Sequence, residues 1–223
     1  MSIIYRLASL AILLGIAETS LAITVDVTSG TAGTTHLGQS FNETRGVTAT
    51  LLGSTDFNLL SMRLDRFNIL QAPGGTVGAR VYADTGALIA SADSAVAQGV
   101  DQSITIPILA TLTGGSTYRF AFFISTVNGG ASGDMFDPDP QNAFGFSYVD
   151  SNGLFRFSDA RSDTADIFPT TPNIFVPFMF LETRAVPEPA LFWIVLAGLI
   201  VLPIVFRKKE GVGIRSALCV PVR

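Results

Sequence analysis

The chain has 223 residues, 48% hydrophobic and 14% charged, with a net charge of −4 and a mean hydropathy of +0.45. Part of that hydropathy comes from two apolar segments near the ends; the stretch 23–185 between them carries eight arginines and no lysine against thirteen aspartates and two glutamates, a net charge of −7. Such a surface has few cations to exchange for phosphate contacts, which argues against nucleic acid and anionic lipid as its partners. The stretch has no cysteine, which excludes a disulfide framework, a thiolate nucleophile and a cysteine-based metal site there.

In chain order, Met1 to Arg6 form a short, weakly basic start, and Leu7 to Ala17 an apolar core. Ser20-Leu21-Ala22 then places small residues where a signal peptidase cuts. Residues 1–22 read as a signal peptide cleaved after Ala22. The competing reading, an uncleaved anchor, fits the short core and small-residue exit less well.

Residues 23–185 have the size of one domain with a substantial core. Helix signals are nearly absent, and apolar residues recur with a period of two. Leu60, Met62 and Leu64 alternate with Ser61, Arg63 and Asp65, and the phase slips near Arg66, where Phe67 and Ile69 take over; a bulge does this. Val77, Ala79 and Val81 precede an Asp84-Thr85-Gly86 turn and Leu88 to Ser91, a hairpin. Ile104, Ile106 and Ile108 form a strand that Pro107 confines to an edge or ends. Gly114-Gly115 turns the chain into Tyr118 to Ser125. Phe144, Phe146 and Tyr148 follow, then an Asp150-Ser151-Asn152-Gly153 turn and Leu154 to Phe157. Ile174 to Leu181 is apolar on both faces and reads as one doubly covered strand. Some eight to ten short strands point to an all-β, two-sheet antiparallel β-sandwich, jelly-roll-like.

The chain continues with Val186-Pro187-Glu188-Pro189, seventeen uncharged residues at 190–206, and Arg207-Lys208-Lys209. The prolines fix φ and delay any helix. As a helix the apolar run spans about 25 Å, enough for a thin bilayer. The three cations hold its distal end on the cytoplasmic side. A tail, 210–223, carries Cys219, the only cysteine, and has no role legible in its sequence.

The V-P-E-P motif, apolar helix and basic cluster together resemble the PEP-CTERM sorting signal of exported bacterial proteins. The resemblance covers residues 186–209 and implies processing by an exosortase, a membrane-embedded transpeptidase-like enzyme of Gram-negative bacteria that make exopolysaccharide. It also implies passage through the general secretion machinery, an inner-membrane-anchored precursor, and a final place at the cell surface or outside it. The tail departs from the pattern, since members of the family end at or just after the basic cluster. A plain linker before an ordinary tail anchor is the competing reading of Pro187-Glu188-Pro189. The segments Gly38 to Phe41, Ala79 to Ser91 and Thr111 to Phe120 are similar to β-sandwich domains of exported bacterial proteins, which implies the fold and setting but no activity.

Candidate chemistry is sparse. His36, the sole histidine, sits in a Gly/Thr-rich segment with no G-x-S-x-G elbow in the chain, so a serine triad and histidine-based zinc are both disfavoured. Asp134, Asp137 and Asp139 form the densest carboxylate cluster, a candidate calcium loop without EF-hand spacing. Asp159, Asp163 and Asp166 form a looser set. Tyr82, Tyr118 and Tyr148 are the aromatics available in this stretch as sugar platforms besides phenylalanine, and Phe122 and Phe123 point to opposite faces of one strand. The expectation is an exported, non-catalytic protein, structural or adhesive within an exopolysaccharide-rich envelope or biofilm. A carbohydrate-binding module is second, and a polysaccharide hydrolase with paired carboxylates third.

Overall fold

The computed structural model describes residues 20–29, 33–127, 129–140 and 145–187. The expected signal-peptide core, Glu188, Pro189, the apolar run 190–206, Arg207 to Lys209, the tail and Phe144 lie outside the described residues. The chain divides into two compact units, Met1–Val186 and Pro187–Arg223. Among the described residues no helix is long and apolar enough to cross a membrane.

Among the described residues the first unit has fourteen strands: β1 (Ile23–Asp26), β2 (Thr34–Ser40), β3 (Thr44–Leu51), β4 (Phe57–Ile69), β5 (Gly75–Ala83), β6 (Leu88–Val96), β7 (Gly99–Leu112), β8 (Thr117–Thr126), β9 (Ala131–Asp137), β10 (Ser147–Val149), β11 (Phe155–Asp163), β12 (Thr171–Asn173), β13 (Val176–Pro177) and β14 (Met179–Ala185). They make two antiparallel seven-stranded sheets, a β-sandwich.

Eight consecutive strands set the plan. β2 pairs with β9, β3 with β8, β4 with β7 and β5 with β6, all antiparallel. This nesting is what a long hairpin gives when it is rolled up. Cross-pairing of β9 with β4 and of β8 with β5 then yields the orders β2-β9-β4-β7 in the first sheet and β3-β8-β5-β6 in the second. The remaining strands extend these sheets. β14 runs along the edge of β4 that β9 occupies further on, with β1 beside it. β11 adds to β3, and the short β10 and β12 flank β11.

The period-two pattern decides which face turns inward. Val47, Ala49 and Leu51 from β3, Val77, Ala79 and Val81 from β5, and Phe120, Phe122 and Ile124 from β8 meet Met62, Leu64, Ile106, Leu112 and Leu181 of the first sheet. Phe41, Phe67, Phe155 and Phe157 fill the widest parts of the layer and are fully buried. Removing each from water contributes about 1.5–3 kcal/mol.

The slip expected at Arg66 is present: pairing with β7 shifts between Leu64 and Phe67, and Arg66 has φ 57°. A second, unexpected slip falls between Leu59 and Ser61. It puts Phe57 and Leu59 inside together with Met62 and Leu64, and moves Leu60 off the core face where the sequence placed it. The Asp84-Thr85-Gly86 hairpin forms, with Gly86 at φ 87° in a turn that Phe168 packs against. Pro107 lies within β7, which pairs with β4 alone, so the strand is an edge and continues past the proline.

The stretch Ile174 to Leu181 is not one strand. β13 pairs with β9, and the chain then steps to β14, which pairs with β4 and β1. Both faces read as apolar because two successive pieces are buried in different surroundings.

Candidate functional site

The most elaborate polar arrangement lies on the outer face of the second sheet. There the alternation of β5 turns Gly78, Arg80 and Tyr82 outward, and β8 contributes Arg119. Outward residues of a sheet face water unless something covers them. Here residues 164–170, between β11 and β12, fold back over the face as a strap.

Arg80 anchors it. Nε donates to Asp166 Oδ1 at 2.9 Å, Nη2 to Asp166 Oδ2 at 2.5 Å, and Nη1 to Asp93 Oδ1 at 2.5 Å. Nη1 also donates to the Ala79 carbonyl at 3.1 Å. Gly78 leaves room for this fork, since a Cβ there would stand 2.6 Å from Nη1. Burial would by itself lower the Arg80 pKa, but hydrogen bonds to Asp166 and Asp93 outweigh it and hold the guanidinium charged.

Phe168 sits between Tyr82, ring centroids 5.3 Å apart at 69°, and Arg119, whose Cζ lies 4.3 Å from its centre. Arg119 Nη1 donates to the Pro169 carbonyl at 2.5 Å, Arg161 Nη1 to that of Thr170 at 3.0 Å, and Thr44 Oγ1 to that of Ala165 at 2.5 Å. Burial lowers the Arg119 pKa, helped by Arg161, and burial raises that of Tyr82, helped by Asp166. Arg80, Arg119 and Arg161 are engaged by the strap and its neighbours. The arrangement fastens a loop, and no side chain in it is poised as a nucleophile or base.

Beside the strap, Gly145, Asp159, Ala160, Arg161, Pro172 and Asn173 line a cavity of about 250 Å³. It opens where β11 slips against β3 between Ser158 and Ala160, with Asp159 at φ 51°. Asp159 Oδ2 lies 3.6 Å from Arg161 Nη2. Asp159 and Arg161 form its polar wall, while the Asn173 amide is engaged, its Nδ2 donating to Ser162 Oγ at 3.0 Å and its Oδ1 accepting from the Phe175 N–H at 2.9 Å.

The candidate calcium set is not gathered. Asp134 and Asp137, three apart on β9, project to opposite faces. Asp134 Oδ1 accepts from the Gly38 N–H at 3.3 Å, and its Oδ2 stands 4.0 Å from Arg66. Asp137 is buried, with Oδ2 3.7 Å from His36 Nε2, and its Oδ1 accepts from the Asp139 N–H at 3.1 Å. Among the described residues no three His, Cys, Asp or Glu side chains stand together as a metal site. The looser set is also dispersed: Asp159 pairs with Arg161, Asp163 caps the Thr164 N–H, and Asp166 holds Arg80. His36 packs on Phe175 at 4.7 Å and lies 3.4 Å from Thr34 Oγ1.

Of the tyrosines available as sugar platforms, two are buried and Tyr148 is half-buried. Tyr82 and Tyr118 are each 5% exposed. The Tyr118 hydroxyl accepts from the Thr113 N–H at 2.5 Å, and that of Tyr148 donates to the Val27 carbonyl. Their rings are spent on packing, which one-dimensional alternation cannot distinguish from display. Phe122 is buried in the core and Phe123 half-buried on the outer face, as opposite faces require. What the sequence reading missed is the strap. Its one signal was the apolar run Ile167-Phe168-Pro169 in the segment between two strands.

At the junctions, Ile23 opens β1 directly after Ala22, and Ser20 lies just ahead of it. β14 ends at Ala185, and the Val186 N–H still donates to the Asp56 carbonyl at 2.8 Å, one residue before Pro187.

No family model matches the chain, and no curated protein matches it. Among solved structures it is similar to a chain of infectious bursal disease virus Gt strain, at 11% identity and a TM-score of 0.29 over 78% of this chain and 42% of that one. A chain of the Gx strain of the same virus gives 11% and 0.27 over 87% and 50%. The D431N mutant VP2 protein of that virus gives 12% and 0.26 over 78% and 42%. The chain thus spans half or less of the length of these structures, and a likeness at this level carries no functional argument.

Proposed function

We propose that this is an exported, non-catalytic protein whose jelly-roll-like sandwich, 23–185, is delivered to the cell surface or extracellular matrix by an exosortase acting on Val186-Pro187-Glu188-Pro189. Its work there is structural or adhesive in an exopolysaccharide-rich envelope. The nested pairs β2:β9, β3:β8, β4:β7 and β5:β6 support the jelly-roll reading.

The observation that carries the sorting reading is the closure of the sandwich at Val186, immediately ahead of Pro187. Cutting a chain beyond its last paired strand leaves the fold intact, and cutting within β14 would expose the edge of β4. The start of β1 at Ile23 supports cleavage after Ala22 in the same way. The strap adds support for a non-catalytic role, because its charged groups are engaged in holding a loop.

Mass spectrometry of both termini of the mature protein tests the proposal. The expected result is an N-terminus at Ile23 and a C-terminus near Pro187, with the apolar run 190–206 removed. Glu188→Ala is expected to leave an unprocessed, membrane-retained precursor. Release of normally sized protein from that variant overturns the exosortase step.

A second reading, a carbohydrate-binding module, is favoured by the cavity at Asp159, Arg161 and Asn173. A polysaccharide pull-down with the mature protein separates the two: retention that is lost in Arg161→Ala favours binding at that cavity. Turnover of the polysaccharide would favour a hydrolase instead.

A further inference from the structure

We infer that two copies of this chain associate through β6, edge to edge, so that the second sheet runs continuously across a two-fold axis. Among the described residues, every other long edge carries a device that discourages pairing. β7 has Pro107 within it and Asp101 at φ 49°. β2 slips in register between His36 and Gln39, with Gly38 at φ 68°. β1 has four residues, and β10 and β12 have three each.

β6 has one such slip, confined to its start, where Val81 pairs with Ala90 and Tyr82 with Leu88, so that Ile89 is passed over. Ala90 to Val96 pairs without interruption against Gly75 to Val81 of β5, and among the described residues β6 pairs with no second strand. Its sequence, Leu-Ile-Ala-Ser-Ala-Asp-Ser-Ala-Val, has no proline and no lysine. Its one charge, Asp93, is already partnered by Arg80. A free edge with a regular stretch and its one charge already engaged is a template for another strand.

The side chains fit a second β6 as that strand. In an antiparallel register centred on Ala92, the regular stretch Ala90 to Ser94 pairs with the same stretch of the second copy and each copy offers the same patch, as a two-fold contact requires. Ala92 then lies on the axis and Ser91 opposite Asp93 of the second copy, so no like charges are directly opposed. Ala90, Ala92 and Val96 pack toward the core, and in this register they stay on the core side of both copies. Leu88 and Ile89, at the start of β6, are apolar and 53% and 41% exposed.

The test uses the full chain in mild detergent, with Cys219→Ser as background. Sedimentation velocity is expected to give twice the 23.6 kDa monomer mass. In that background Ala92→Cys is expected to be joined to a second copy by a short bismaleimide, and Val149→Cys, on the opposite edge of the same sheet, is not. Ser91→Asp sets an aspartate beside Arg80 within its own copy but opposite Asp93 of the other, at two symmetric places. It is expected to weaken the dimer about tenfold while leaving the strand-type circular dichroism unchanged. A monomeric wild-type chain at tens of micromolar (a concentration set by the experiment, roughly where a μM dimer saturates) overturns the proposal. So does a dimer that cross-links through Val149→Cys and not through Ala92→Cys. Because the cross-linker reacts in any compartment, failure here is distinct from failure of the export reading.

Discussion

Asp166→Ala detaches the strap at its strongest point, and the size of the effect follows from exposure. Arg80 is 7% exposed, whereas the side chains of Asp93 and Asp166 are 56% and 35% exposed. Removing one carboxylate does not strand the guanidinium, because Asp93 and the Ala79 carbonyl remain bonded to it. A two-point fork is stronger than a single contact, but water at the Asp166 carboxylate screens it. The coupling between Arg80 and Asp166 is therefore expected at about 1–2 kcal/mol. A double-mutant cycle with Arg80→Met and Asp166→Ala, measured by denaturant unfolding, gives that coupling directly. Hydrogen exchange at residues 164–170 should quicken in Asp166→Ala while exchange in β3 and β8 is unchanged. A coupling below about 0.3 kcal/mol, within the additivity error of distant sites, together with unaltered exchange, would refute the reasoning and leave the strap held by Phe168.

Tyr148 should make the fold sensitive to alkali. Burial foremost, and then Asp26 and Asp150, raise its pKa above the usual 10.0. Its contribution is thus complete below pH 10.0 and is lost as pH rises above that value, at up to about 1.4 kcal/mol per pH unit. Tyr148→Phe should cost about 1 kcal/mol at neutral pH, through the bond to Val27, and flatten the alkaline limb of a stability–pH curve; superimposable curves would contradict this. Asp150→Ala removes the acceptor of the Asn152, Leu154 and Phe155 N–H groups, at 2.8, 2.8 and 2.6 Å. A loss of about 3 kcal/mol is expected in chemical denaturation, because water can satisfy some of those donors but the Phe155 N–H is buried.

What the sequence disclosed and what it withheld divide along one line, the reach of the contacts. The bulge at Arg66 was legible because the apolar phase changes within a few residues, and the hairpin at Gly86 because turn chemistry is local. The slip at Leu59–Ser61 was hidden, since Leu60 is as apolar as its neighbours and the serine finds its partner, Glu182, 121 positions away. Ile174 to Leu181 looked like one strand for a related reason: alternation reports burial and not which strand provides it. The carboxylate cluster at Asp134 misled because closeness along a strand alternates sides. The strap depends on Arg80 and Asp166, 86 residues apart, and no local pattern announces such a pair. The tyrosines were read as available sugar platforms, but only packing decides whether such a ring faces water or the interior.

The position of β1 has a consequence for how the molecule matures. Ile23 lies opposite Thr183, so the first of the described strands has its partner in the last of them. The inner pairs can zip from β5 and β6 outward as the polypeptide lengthens, but β1 must wait as an open end until β14 arrives. Contacts of such long range close slowly. Assembly of this sandwich is accordingly finished from its two termini inward upon each other, and a polypeptide halted before Met179 leaves β1 with nothing to hold.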